Sequence, residues 1–197
     1  MSQSIVDLCN SALQKLGATS ISSLSDNSRE ARQCNIAYDS NRRSELRKYR
    51  WNFAIKREIL TPLSAAPVFD YAYAFQIPSD CLRVLNPPGS DWVVEGRTIL
   101  TNSGNTLYLR YISDVTDLTL WDPVFYDATA ISMAMDMCEA ITNSNAKKKT
   151  LAQEYKDAIG YARTNNSFEQ LPAEPPSDSW WEVRYSGVTG GQVNFKI

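Results

Sequence analysis

Apolar residues recur at steps of three and four near the start of the chain: Ile5, Leu8, Cys9, Ala12, Leu13 and Leu16. That spacing gathers them on one face of a helix over residues 4–16. Ser4 supplies an N-cap, and Gly17 stands where a left-handed C-cap is needed. A serine-rich loop over 18–25 comes next, in which Ile21 and Leu24 staple the loop to the helices. A second helix begins near Asn27, with Glu30 as capping-box partner, and runs to about Arg50, roughly 35 Å at 1.5 Å per residue. Ala31, Cys34, Tyr38, Leu46 and Tyr49 share one side of it and are expected to meet the first helix.

Beyond Trp51 the period changes. Pro62 and Pro67 mark a loop, and residues 71–77 (YAYAFQI) alternate aromatic and small side chains as a strand does. Short strands are expected over 81–85, 92–95, 97–101 and 106–112. The turn signals between them are Pro87-Pro88-Gly89, Glu95-Gly96 and Ser103-Gly104-Asn105. The helical period returns at Asp122-Pro123, a capping acid followed by proline at the first position. Val124, Ala128, Ile131, Met135 and Cys138 form the buried stripe of the third helix, and Asn143-Ser144-Asn145 breaks it. The fourth helix runs over about 146–162, with Leu151, Tyr155, Ala158, Ile159 and Ala162 on its face. Its first turn carries Lys147, Lys148 and Lys149, where the helix dipole disfavours cations, and these are expected to face solvent.

The pattern therefore predicts a mainly α fold: an antiparallel bundle of about four helices, an inserted small antiparallel β module, and an extended C-terminal tail. The expected division is 1–58 for the first helical pair, 59–118 for the β insertion, 119–165 for the second helical pair and 166–197 for the tail. The tail keeps neither period and is rich in proline and glycine, yet it carries Trp180, Trp181, Val183, Tyr185, Val188, Val193 and Phe195. Aromatic anchors of this kind offset the entropy of ordering an extended segment on a partner. The competing reading is that the tail packs back on its own helices.

Composition narrows the chemistry. The 197 residues contain no histidine, so Ser-His-Asp and Cys-His catalysis and histidine metal ligation are excluded. Cys9, Cys34, Cys81 and Cys138 form no CxxC pair and read as small buried thiols in a reducing compartment. There is no phosphate-binding glycine motif, and no cofactor is expected. No apolar run is long enough to span a membrane, and the N-terminus lacks a signal-peptide pattern, so synthesis in a cytoplasm is expected. A carboxylate-based glycosidase through Glu45 and Asp39 is the remaining enzymatic option, but nothing places them in a cleft at a working separation. No enzyme is expected.

A formal net charge of -2 argues against a dedicated nucleic-acid binder. Charge is nevertheless concentrated in residues 41–57, NRRSELRKYRWNFAIKR, with seven Lys/Arg and one acid. On a helical wheel Arg29, Arg32, Arg43, Arg47 and Arg50 fall within roughly 60° of one another. The bland reading is a solvated face with local acidic partners. The sharper ones are a polyanion-facing surface or a subunit contact rich in Arg–carboxylate pairs. Arg42 lies nearer the apolar side and should seek Glu45 or a carboxylate from outside the helix.

Leu16-Gly17, the run Arg47 to Phe53, and Pro78, Asp80 and Arg83 occur in an order and spacing that resemble the head-to-tail adaptors of short-tailed bacteriophages, also called tail tubular protein A. The resemblance covers most of residues 3–165. It implies a helical bundle with an inserted β region, assembled as a dodecameric ring between the portal protein and the tail nozzle protein. DNA would pass through the channel of that ring without specific binding, and the protein would reside at the head–tail interface of the virion after assembly in the host cytoplasm. On this reading Arg29, Arg32, Arg43, Arg47 and Arg50 form a subunit or channel contact. Trp180, Trp181, Arg184, Tyr185 and Phe195 form a portal or partner docking segment. The alternative is a DNA-binding or packaging accessory protein using Arg43, Arg47, Arg50, Lys56 and Arg57 on phosphates.

Overall fold

The computed structural model describes residues 4–85 and 91–169. The segment from residue 170 onward, with Trp180, Trp181, Arg184, Tyr185 and Phe195, lies outside the described residues. So does the turn at Pro87-Pro88-Gly89.

The first helix, α1 (Ile5–Leu16), has the cap pair expected of it. Ser4 and Asp7 form a reciprocal capping box, and Gly17 adopts φ 71°, a left-handed conformation that disfavours any side chain with a Cβ. Helix α2 (Arg29–Lys48) starts at the Ser28 cap, one residue later than the Asn27 cap the sequence suggests. Helix α3 (Pro123–Thr142) begins on the Asp122 cap and ends at Asn143 in a left-handed conformation. Helix α4 (Asn145–Phe168) runs well past the expected end at Ala162. Its extra turns are held by Asn166, which is buried and bonds the chain leaving α2.

Among the described residues, six strands lie between α2 and α3: β1 (Ile55–Leu60), β2 (Tyr73–Gln76), β3 (Cys81–Leu85), β4 (Trp92–Glu95), β5 (Thr98–Thr101) and β6 (Leu107–Ser113). They form two antiparallel three-stranded sheets, β1-β6-β3 and β2-β5-β4. This overturns the expectation of a mainly helical bundle with a small β insertion: the fold is α+β. Strand β1 has no counterpart among the expected strands. It begins within the basic stretch and crosses the expected boundary at residue 58.

The β1-β6-β3 sheet is a middle layer. Alternate β6 residues point to opposite faces. Ile112, with Leu82 and Leu85 of β3, joins the core formed with the helices. Leu107, Leu109 and Tyr111 instead join Leu60, Phe75, Ile77, Cys81 and Ile99 in a second core against the other sheet. A β-bulge between Cys81 and Arg83 makes this division possible on β3. Cys81 enters the sheet–sheet core, and Leu82 enters the helical core.

The helices do not pair as expected. Helix α3 is central, packed against α1, α2 and α4, and α2 meets α1 only slightly. The reason lies in residue type. Helix α3 buries residues around most of its circumference, including Phe125, Ile131, Met133 and Met137, so it can serve three neighbours. Helix α2 buries Asn41, Arg42 and Glu45 alongside Ala31, Cys34 and Leu46; α3 and α4 provide partners for Asn41 and Glu45, and Asp114 after β6 serves Arg42. Asn41 bonds Asp136 at 2.7 Å, and Ser132 donates to both Asn41 and Glu45.

Lys147 also departs from expectation. Its Nζ donates to the Leu16 carbonyl at 2.6 Å, so this cation sits at the C-terminus of α1, where the dipole favours it. Lys148 pairs with Glu139 at 3.6 Å.

Candidate functional site

The chain leaves α2 through Tyr49 and Arg50 and turns at Trp51, which is buried. Trp51 Nε1 donates to the Glu45 carbonyl at 3.0 Å, and its ring packs against Phe125 with centroids 4.7 Å apart. The short 3-10 turn Asn52–Ala54 then delivers the chain into β1. This anchored exit fixes the end of α2 against the edge of the middle sheet.

That arrangement brings together arginines far apart in sequence. In the antiparallel register Arg57 of β1 lies opposite Arg110 of β6, which in turn lies opposite Leu85 of β3. Arg83 lies opposite Ile112, so Arg57, Arg83 and Arg110 share the helix-side face of the sheet. Arg50, Arg83 and Arg110, with Val84 and Leu85, line a concavity of about 200 Å³. Arg47 reaches the same region and donates to the Leu82 carbonyl. Among the described residues, Arg47, Arg50, Arg57, Arg83 and Arg110 form no ion pair. Burial and the neighbouring guanidinium groups of Arg47 and Arg50 lower the pKa of Arg83 below the ordinary arginine range. Like charges converging without a counter-charge are unfavourable. The corner thus presents several guanidinium groups with no carboxylate partner among the described residues.

The wheel-defined stripe is therefore divided. Arg50 and Arg47 belong to the corner. Arg43 lies 3.6 Å from Asp114, and Arg32 donates to Asn27 at 3.0 Å. Arg29 is exposed at the start of α2. Arg42 is buried and pairs with Asp39 at 3.2 Å and Asp114 at 3.3 Å, the latter supplied from beyond β6. Arg83 and Arg110 are corner residues that the helical wheel does not reveal. Two-residue periodicity in LYLRYIS would have set Arg110 on the same face as Tyr108 and Ile112. The bulge that turns Arg83 toward the helices leaves no sequence signal.

The residues that carry the family resemblance act as joints. Asp80 accepts from Lys56 Nζ at 2.7 Å and from the Tyr111 hydroxyl at 3.0 Å. Burial alone would raise its pKa, but these two bonds outweigh burial and hold the carboxyl below its usual range. Tyr111 is pushed up by burial and by its bonds to Asp80 and Glu58. Arg47, from the run that ends at Phe53, ties α2 to the β3 bulge.

Glu45 is 1% exposed and its oxygens are occupied by Lys48, Ser132 and Tyr155. It joins three helices through these bonds. The four cysteines are buried and free. Among the described residues, no group of three or more histidine, cysteine or carboxylate side chains is placed to hold a metal ion. No helix of the described residues is long and apolar enough to cross a membrane.

No family model matches the chain, and no curated protein matches it.

Proposed function

We infer that this chain is a structural virion protein, a ring-forming adaptor between portal and tail nozzle that contributes to the DNA exit channel. The reading is supported by the order and spacing of the motif residues and, above all, by large apolar side chains left in solvent on both parts of the fold. On the helices Ile36 is 71% exposed and Phe168 81% exposed. On the β part, Val68 is 95% exposed, with Phe69 also open. A head-to-tail ring requires two unlike complementary surfaces on each subunit, and exposed apolar groups of this size are the material of such contacts. The test is light scattering coupled to size-exclusion chromatography, followed by imaging with purified portal. The expected result is a ring stacked coaxially on the portal. A chain that stays monomeric and fails to bind portal overturns the reading.

A second reading, a DNA-binding accessory protein, draws on the arginine corner. It requires retention on duplex DNA that falls steeply with salt.

A further inference from the structure

Among the described residues no carboxylate pairs with the arginine corner, and the end of α4 lies beside it. Asn166 Nδ2 donates to the Arg50 carbonyl at 2.9 Å, and its Oδ1 accepts from the Asn52 backbone N–H at 2.8 Å. Glu169, at the C-cap of α4, accepts from the Asn52 side chain at 3.0 Å. The remaining chain therefore departs from the same turn that presents Arg50.

Residues 170–182 carry the charge that the corner calls for. Glu174, Asp178 and Glu182 are interleaved with Trp180 and Trp181, and no lysine or arginine occurs between residue 170 and Val183. Five residues of extended chain separate Glu169 from Glu174, a reach of roughly 17 Å. The face of the middle sheet also carries an apolar extension. Ile59 and Tyr108 are direct cross-strand partners, on the same face as the Arg57–Arg110 pair and both exposed. Indole rings can rest on these side chains and on the guanidinium planes while the carboxylates pair with the arginines.

We propose that the acidic, tryptophan-bearing segment 174–182 docks in its own chain on the arginine corner formed by Arg50, Arg57, Arg83 and Arg110 and on the adjoining Ile59–Tyr108 pair. The proposal does not depend on ring formation. Docking supplies counter-charge to the arginines and covers the apolar extension of the sheet.

The test uses the full chain at low salt and follows chymotryptic cleavage after Trp180 and Trp181. Cleavage of a docked segment follows its open population, so a tenfold docking equilibrium slows it about tenfold. The paired substitution Arg50→Glu with Arg110→Glu should remove that protection, as should Glu174→Lys, Asp178→Lys and Glu182→Lys together. Combining the two sets should restore it, an outcome that a folding defect cannot produce. Arg57→Glu alone, at an exposed position, should give a partial loss. The rate should be independent of protein concentration. Unchanged cleavage in the arginine variants, or no recovery in the combined variant, overturns the proposal. Equal retention of the wild-type and tail-reversed chains on duplex DNA, lost in the arginine variants, also overturns it, because the corner would then be open to nucleic acid.

Discussion

Glu45 accepts the hydroxyl proton of Ser132 at 2.7 Å in a site that is 1% exposed, joining α2 to the centre of α3. The same carboxylate accepts from Tyr155 of α4 at 2.7 Å. Glu45→Ala should leave the half-buried Tyr155 hydroxyl and the Lys48 ammonium without this acceptor and Ser132 with Asn41 alone, at a cost of about 2–4 kcal/mol. Glu45→Gln, which keeps the shape and one oxygen, should cost less than half as much. Urea unfolding of the two variants against wild type checks the order and the size.

Trp51 fills the junction between the helices and the middle sheet. Trp51→Ala should cost about 3–5 kcal/mol through lost burial and the cavity left behind. Trp51→Phe retains most of the ring contact with Phe125 but gives up the bond to the Glu45 carbonyl, a loss of about 1–2 kcal/mol. Thermal melts of both variants would show a graded loss.

Gly17 has φ 71°, and a Cβ there would lie 3.6 Å from Lys147 Nζ, an ordinary contact. The penalty for Gly17→Ala is therefore conformational rather than steric, about 1 kcal/mol. Lys147→Met should cost about the same for a different reason, because the Leu16 carbonyl loses its charged donor. The two positions are close enough that a double-mutant cycle measures their coupling.

The Lys56–Asp80 pair sets a pH window. The folded pKa of Asp80 is depressed, so its contribution is present above the unfolded carboxyl value and lost as pH falls below about 4. The folded pKa of Lys56 is raised by its bond to Asp80, so its contribution is present below the unfolded lysine value and lost as pH rises above about 10. Asp80→Asn should flatten the stability profile between about pH 5 and pH 2 and weaken the loss above about pH 10. Denaturant midpoints across that range would decide it. A variant with the same acid limb as wild type would contradict this assignment.

The helices are legible in the sequence because their apolar spacing and caps are local. Ser4, Gly17, Asp122 and Asn143 all occupy terminal positions that their chemistry suits. Strands β3 and β4 are equally plain, bounded by turn residues. Strand β1 is hidden because Lys56, Arg57, Glu58 and Ile59 are all exposed, leaving no alternation to read. Its existence depends on pairing with β6, about fifty residues away. Without β1 the second core has no wall, and the chain reads as a helical bundle instead of an α+β fold. The packing of α2 is obscured in a similar way, since Asn41 and Glu45 look like surface residues until Asp136, Ser132 and Tyr155 are brought to them, whereas the wheel sets Arg42 near the apolar side and it finds its outside carboxylate in Asp114. The arginine corner is legible by half: Arg47 and Arg50 stand in the basic stretch, whereas Arg83 and Arg110 join them only through sheet register and a bulge.

The middle sheet has a mechanical consequence. Strands β1 and β6 enter and leave the β part side by side, paired from Ile55–Ile112 to Leu60–Leu107. At its Ile55–Ile112 end the ladder packs among the helices, and through Leu60, Leu107, Leu109 and Tyr111 it packs against the second sheet. A force applied at the outer sheet therefore meets a row of hydrogen bonds and two packed faces before it can bend the chain. The helical core and the sheet–sheet core therefore share one pair of strands, and separating them means breaking that ladder.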